Sequence, residues 1–157
     1  MKTTPKPSQI AILAGAVVLL IFSFLNFYKS SFGDVGFSAW DGDLLFPLTI
    51  FPLLLGLIVG GTTAATLFAD VKLPEQILTL NWKQINFTLS FAAVLILLGL
   101  LISAPSGSDL GAGLLVSVLG GIALVAGSVM ELLGIEVGGT TGGGGSNQAP
   151  GGPSTPF

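Results

Sequence analysis

The chain has no cysteine and no histidine, its five basic residues are all lysine, and charged residues make up only 8% of its 157 positions. Each shortage removes a class of chemistry. Without cysteine there is no disulfide or thiolate nucleophile. Without histidine the commonest metal ligand and proton shuttle is gone, and no serine can be activated by the usual Ser-His pairing. With no arginine and a net charge of -3, the basic footprint of a nucleic-acid binder is missing. No cofactor fingerprint stands out. The chain therefore reads as non-enzymatic, with no cofactor, no metal and no nucleic-acid partner.

What the chain does have is apolar length. It is 51% hydrophobic, with mean hydropathy +0.90, against roughly 25% charged residues in an ordinary soluble domain. Four apolar stretches cover about residues 10 to 28, 44 to 69, 85 to 104 and 110 to 130. A helix rises about 1.5 Å per residue and the hydrocarbon core is about 30 Å thick, so about 20 apolar residues span it. The expected fold is an all-α membrane protein, a bundle of four transmembrane helices over residues 10 to 137. A short polar arm, residues 1 to 9, precedes it, and a Gly/Pro-rich tail, residues 138 to 157, follows. That tail has almost nothing apolar to bury against its backbone entropy and is expected to be disordered.

The first stretch follows Lys2 and Lys6 as a signal peptide would. It runs on through Phe22, Phe24, Leu25, Phe27 and Tyr28 without a small-residue cleavage site, and so reads as a retained anchor. Placing the N-terminus inside puts Lys2, Lys6, Lys72 and Lys83 on the cytoplasmic side and Lys29 alone outside, the bias of the positive-inside rule. Both termini are then cytoplasmic. Trp40 on the outer side, and Trp82 with Lys83 on the inner side, read as interface anchors. In the second stretch Pro52 falls a turn inside a helix begun near residue 44 and predicts a bend there. Pro74 can open a short surface helix in the loop before the third.

Small residues at helical spacing are the main pattern within the membrane. Gly56 and Gly60 make GxxxG in the second helix. Gly113, Ser117 and Gly121 repeat every fourth residue in the fourth, with Gly127 nearby. Such faces allow close backbone approach where lipid supplies no hydrophobic drive, so they serve either packing within the bundle or docking on other membrane subunits or a second copy. On the outer side Asp34, Asp41, Asp43 and Asp109 form a possible acidic patch, although their spacing matches no complete calcium loop. Glu131, at the inner end of the fourth helix, is the ionisable group nearest the membrane interior and reads as an interfacial, solvated carboxylate that can reach water or pair with Lys72 or Lys83. Asn86-Phe87-Thr88 matches a glycosylation sequon on the inner side, where it has no use.

The aromatic end of the first stretch, Gly36-Phe37-Ser38-Ala39-Trp40-Asp41 in the outer loop, three further helices and a Gly/Pro-rich tail together resemble small four-span membrane proteins of actinobacteria, over about residues 10 to 134. The resemblance implies a bacterial plasma membrane and brings no catalytic residues. The leading expectation is an accessory or assembly subunit that binds other membrane proteins through small-residue helix faces. The alternative is a component of a small oligomeric channel or transporter, with Thr62, Thr63 and Thr66 lining a polar path beyond the Pro52 bend.

Overall fold

A computed structural model describes residues 5–31, 35–41, 47–69, 71, 76–77, 79–104 and 106–135. The Gly/Pro-rich tail, the start of the polar arm, Asp34, Asp43 and the Pro74 region lie outside these. The chain is mostly helical, with helices α1 (Pro7–Phe22), α2 (Phe51–Phe68), α3 (Trp82–Ile102) and α4 (Ala112–Leu133). The last three are long and apolar enough to cross a membrane, whereas α1 has 16 residues, about 24 Å of helix. Packing runs α1–α2–α3–α4 around a ring that closes through a tight α1/α4 contact, while α2 and α4 barely meet. The core along the ring axis includes Ile12, Leu19, Val59, Leu97 and Leu124.

Each boundary has a local cause. Pro7 opens α1, where its missing N–H would have had no intrahelical partner, and Gln9 Oε1 accepts from the Lys6 amide at 3.0 Å. Asn81 caps α3: its side chain accepts from the Lys83 amide at 3.2 Å, while Gln84 reaches back to the Asn81 amide at 3.1 Å. Gly134 ends α4 in the left-handed region (φ 66°), and the Ile135 amide bonds back to the Met130 carbonyl at 3.0 Å.

Three expectations are corrected. The structure is not all helix. After α1 the chain turns at Ser23–Leu25 and runs as strand β1 (Asn26–Ser30), which pairs antiparallel with β2 (Gly36–Ser38) on one side and β5 (Ser108–Leu110) on the other. This sheet caps the bundle end that carries the C-termini of α1 and α3. The aromatic run expected to continue the first helix instead turns inward: Phe27 and Tyr28 are buried, and the Tyr28 hydroxyl donates to the Leu100 carbonyl at 2.5 Å. That carbonyl lies in the last turn of α3, where no further helical amide can serve it.

Secondly, α2 is not bent at Pro52, because it begins there. Residues 47–50 form a separate turn closed by Ile50 N–H to Pro47 O at 3.1 Å, which leaves Pro52 in the first helical turn, where proline costs nothing. Thirdly, the loop before α3 is a small hairpin of β3 (Gln76–Ile77) and β4 (Leu80–Asn81) rather than a surface helix. Ile77 and Leu80 are backbone partners across it.

Candidate functional site

The glycine ladders are used inside the chain. Gly56, Gly60, Gly113, Ser117, Gly121 and Gly127 are all buried, and the glycines among them face two different neighbours. The fourth-residue ladder in α4 divides. Gly113, Gly120 and Gly127, seven residues apart, lie against the α1 segment, whereas a side chain at Gly121 would meet Val94 and Leu97 of α3 at 2.9 and 3.1 Å. A Cβ at Gly127 would lie 2.6 Å from the Ser8 carbonyl oxygen, and one at Gly113 would lie 2.6 Å from that of Leu25. Gly56 and Gly60 of α2 receive Leu19 and Ala16, also from α1. The first helix thus lies in a glycine-lined cradle, and Gly15 of α1 completes it. Ser117, only 1% exposed, has an Oγ without a hydrogen-bond partner.

At the sheet-capped end, Trp40 stacks on Phe24 (ring centroids 5.5 Å apart, planes 16° apart), and its Nε1 donates to Ser23 Oγ at 3.1 Å. Of the four aspartates proposed as a patch, two are described, and they do not meet. Asp41 accepts from the Ser38 amide and closes the turn after β2. Asp109 stands opposite Lys29 in the β1/β5 ladder, at the other edge of the sheet. Two strand spacings, about 10 Å, separate such edges. Among the described residues no three potential metal ligands come together.

The polar groups converge at the opposite end. One cavity of about 180 Å³ lies between the starts of α1 and α3 and the end of α4, lined by Lys6, Ser8, Gln9, Lys83, Glu131 and Gly134, with Met130 and Ile135 as its apolar wall. A second, of about 110 Å³, adjoins it through Lys83 and Glu131 and is lined by Thr62, Thr63, Thr66, Trp82 and Asn86. Lys83 and Lys6 are both near enough to act electrostatically on the Glu131 carboxylate. Lys72 lies outside the described residues, and no ion pair joins Glu131 to Lys83 among the described residues. Trp82 is half-buried at the first position of α3, and its Nε1 is buried without a hydrogen-bond partner, whereas Lys83 is exposed.

Hydroxyls in the second cavity are tied to their own helix. Thr62 and Thr63 donate to the Val59 carbonyl at 3.0 and 2.9 Å, and Thr66 donates to that of Thr63 at 2.9 Å. With their protons so engaged they present mainly acceptor lone pairs to the cavity. Asn86, 7% exposed, lies 3.4 Å from the Thr62 hydroxyl, so the sequon is closed to any modifying enzyme. One turn deeper, fully buried Ser90 and Ser128 share a hydrogen bond of 2.9 Å between α3 and α4. The i, i+4 spacing of Asn86 and Ser90 within an apolar run was a legible sign of this polar seam. Compared with sequence families, with curated proteins and with solved structures, the chain matches none.

Proposed function

We propose that this chain is a non-enzymatic, four-span protein of a bacterial plasma membrane, with both termini cytoplasmic, that acts as an accessory or assembly subunit for another membrane protein. Support for a fourth span comes from α1's position. Its Gly15 abuts the α4 backbone at Gly120 and Leu124, Ser8 lies beside Gly127 and Leu25 beside Gly113. The 16-residue helix with its Ser23–Leu25 turn therefore accompanies α4 over most of that helix's length, and whatever solvent surrounds α4 surrounds α1.

The observation that carries the accessory reading is a shallow apolar groove of about 200 Å³ between α1 and α2, lined by Ala16, Val17, Leu57, Gly60, Gly61 and Ala64. Nothing lies within 4 Å of where a side chain on Gly61 would be. Ala64 sits beside it, so this strip gives an incoming backbone the close approach that membrane helices use to associate, and the occupant it suits is one transmembrane helix of another subunit. The cradle glycines, by contrast, are already filled by α1.

A photo-crosslinking residue at Leu57 tests this in intact membranes. A discrete adduct that disappears on Gly61→Leu, with the purified variant still folded, is expected; an adduct pattern indifferent to Gly61→Leu, or an adduct only with a second copy, would refute the hetero-subunit reading. Gly121→Leu and Gly60→Leu are unsuitable probes, since both strike the protein's own packing.

A further inference from the structure

We propose that the cavity between the starts of α1 and α3 and the end of α4 holds the headgroup of an amine-bearing phospholipid, a phosphoethanolamine zwitterion from the adjacent leaflet. The inference rests on the membrane reading above and is independent of the accessory role. It begins with depth. α4 has 22 residues, about 33 Å against a hydrocarbon core of about 30 Å, so the helix end that carries Glu131 and Gly134 lies at the boundary between hydrocarbon and headgroups.

Charge then selects the occupant. The cavity has walls of opposite sign. Lys6 and Lys83 line it at the starts of α1 and α3, the ends where two helix dipoles are positive. Glu131 lines it together with the last turn of α4, the negative end of a third dipole. A phosphodiester suits the first wall and a primary ammonium the second, and in phosphoethanolamine the two are joined by a two-carbon link. Ser8 and Gln9 add neutral hydrogen-bonding groups between them, while Met130 and Ile135 give the glycerol and first methylenes an apolar rim.

Related headgroups fit less well. A choline headgroup carries the same charges, but its ammonium is methylated and has no N–H to donate to Glu131. A glycerol headgroup has no cation at all and leaves the carboxylate facing a second negative charge. A charge-assisted hydrogen bond in a half-open site corresponds to about a tenfold preference for the primary amine over either.

Full-length protein purified in mild detergent and offered equal mole fractions of phosphatidylethanolamine, phosphatidylcholine and phosphatidylglycerol is the test, read by native mass spectrometry of bound lipid. The ethanolamine lipid should be retained about tenfold over the other two. Glu131→Gln should erase that preference while leaving phosphatidylglycerol bound as well or better, and Lys83→Gln should weaken retention of all three. Both residues lie at a half-open helix end, and circular dichroism of each variant confirms that it is folded. Equal retention of the three lipids, or a preference that survives both substitutions, overturns the assignment. Displacement of the lipid by equimolar soluble phosphoethanolamine also overturns it, in favour of a free metabolite. A chain that is monodisperse without detergent would instead defeat the membrane reading itself.

Discussion

Adding one methyl group at Gly15 should destabilise the protein by forcing α1 and α4 apart. An alanine Cβ there would lie 2.6 Å from the Gly120 carbonyl oxygen, 2.8 Å from the Leu124 amide nitrogen and 3.0 Å from the Leu124 Cβ. A relaxed carbon-to-oxygen contact needs about 3.3 Å or more, so α1 and α4 must separate by about 0.7 Å. Two of the three opposing atoms are helical backbone and cannot rotate aside. A radial gap of 0.5 to 1 Å forfeits about a quarter to a half of each dispersion well along the seam. Overpacking of this kind costs about 1 to 3 kcal/mol, the upper end applying where backbone is struck, and alanine's better helix propensity returns up to about 1 kcal/mol. The net loss is about 2 kcal/mol.

Gly61→Ala is the internal control, because its Cβ meets nothing within 4 Å and should gain about 0.5 to 1 kcal/mol. Gly121→Ala falls between the two, since the atoms it meets, Val94 Cγ2 and Leu97 Cδ1, are side-chain ends that can shift. Reversible unfolding of purified protein in mixed micelles, with rising dodecyl sulfate fraction and fluorescence from Trp40 and Trp82 as the signal, ranks the three. If Gly15→Ala unfolds at the wild-type detergent fraction or above it, the glycine seam is not what holds α1 against α4.

Three further outcomes are expected. Ser90→Ala and Ser128→Ala, singly and together, should show a coupling of about 0.6 kcal/mol, the average for hydrogen bonds between membrane helices; a double-mutant cycle in the same micelles that gives no coupling would remove the Ser90–Ser128 bond as a structural tie. Tyr28→Phe should cost about 1 to 3 kcal/mol, because it leaves the buried Leu100 carbonyl without its donor. Burial raises the Tyr28 phenol above its ordinary value near 10, so the fold binds that proton more tightly than the unfolded chain does; the stabilisation is whole below pH 10 and is lost as pH climbs through the raised value, a loss that unfolding curves of Tyr28→Phe should not show. Because the chain has no cysteine, Ser106→Cys and Ile135→Cys, both at exposed positions, give clean labels; in intact cells an impermeant maleimide should reach Cys only in the Ser106 variant, and the reverse pattern inverts the orientation.

The apolar runs announced the helices because burial in lipid and burial in a bundle both require them, and α2, α3 and α4 lie where those runs do. What sequence reading misjudged was where each run stops being helix. Phe24 to Tyr28 continue the hydropathy of α1, yet the chain leaves the helix at Ser23 because Phe27 and Tyr28 are buried beneath a sheet whose third strand, β5, comes from about 80 residues later. Hydropathy sees burial and not the conformation that achieves it. Pro52 was read one turn too deep because residues 47–50, equally apolar, form a turn of their own. The small-residue faces were legible as close-packing surfaces, but not the helix that fills them. Ala14-Gly15-Ala16 in α1 was the available sign, since a cradle of glycines is matched by a small-residue partner.

The filled cradle also bears on what the protein can do. A helix seated at backbone contact distance on α4, and held by Leu19 and Ala16 against Gly56 and Gly60, cannot slide or tilt without breaking contacts on two sides. A polar seam lies elsewhere, between α2, α3 and α4, open near Glu131 and closed one turn deeper by the Ser90–Ser128 pair. A conduction path would have to part that pair and then pass the apolar side chains of Leu97 and Leu124, both fully buried. Each step exposes hydrocarbon to water with no charge at mid-depth to offset the cost. The subunit proposed above, presenting one surface to a neighbouring helix and one to a headgroup, needs none of these steps.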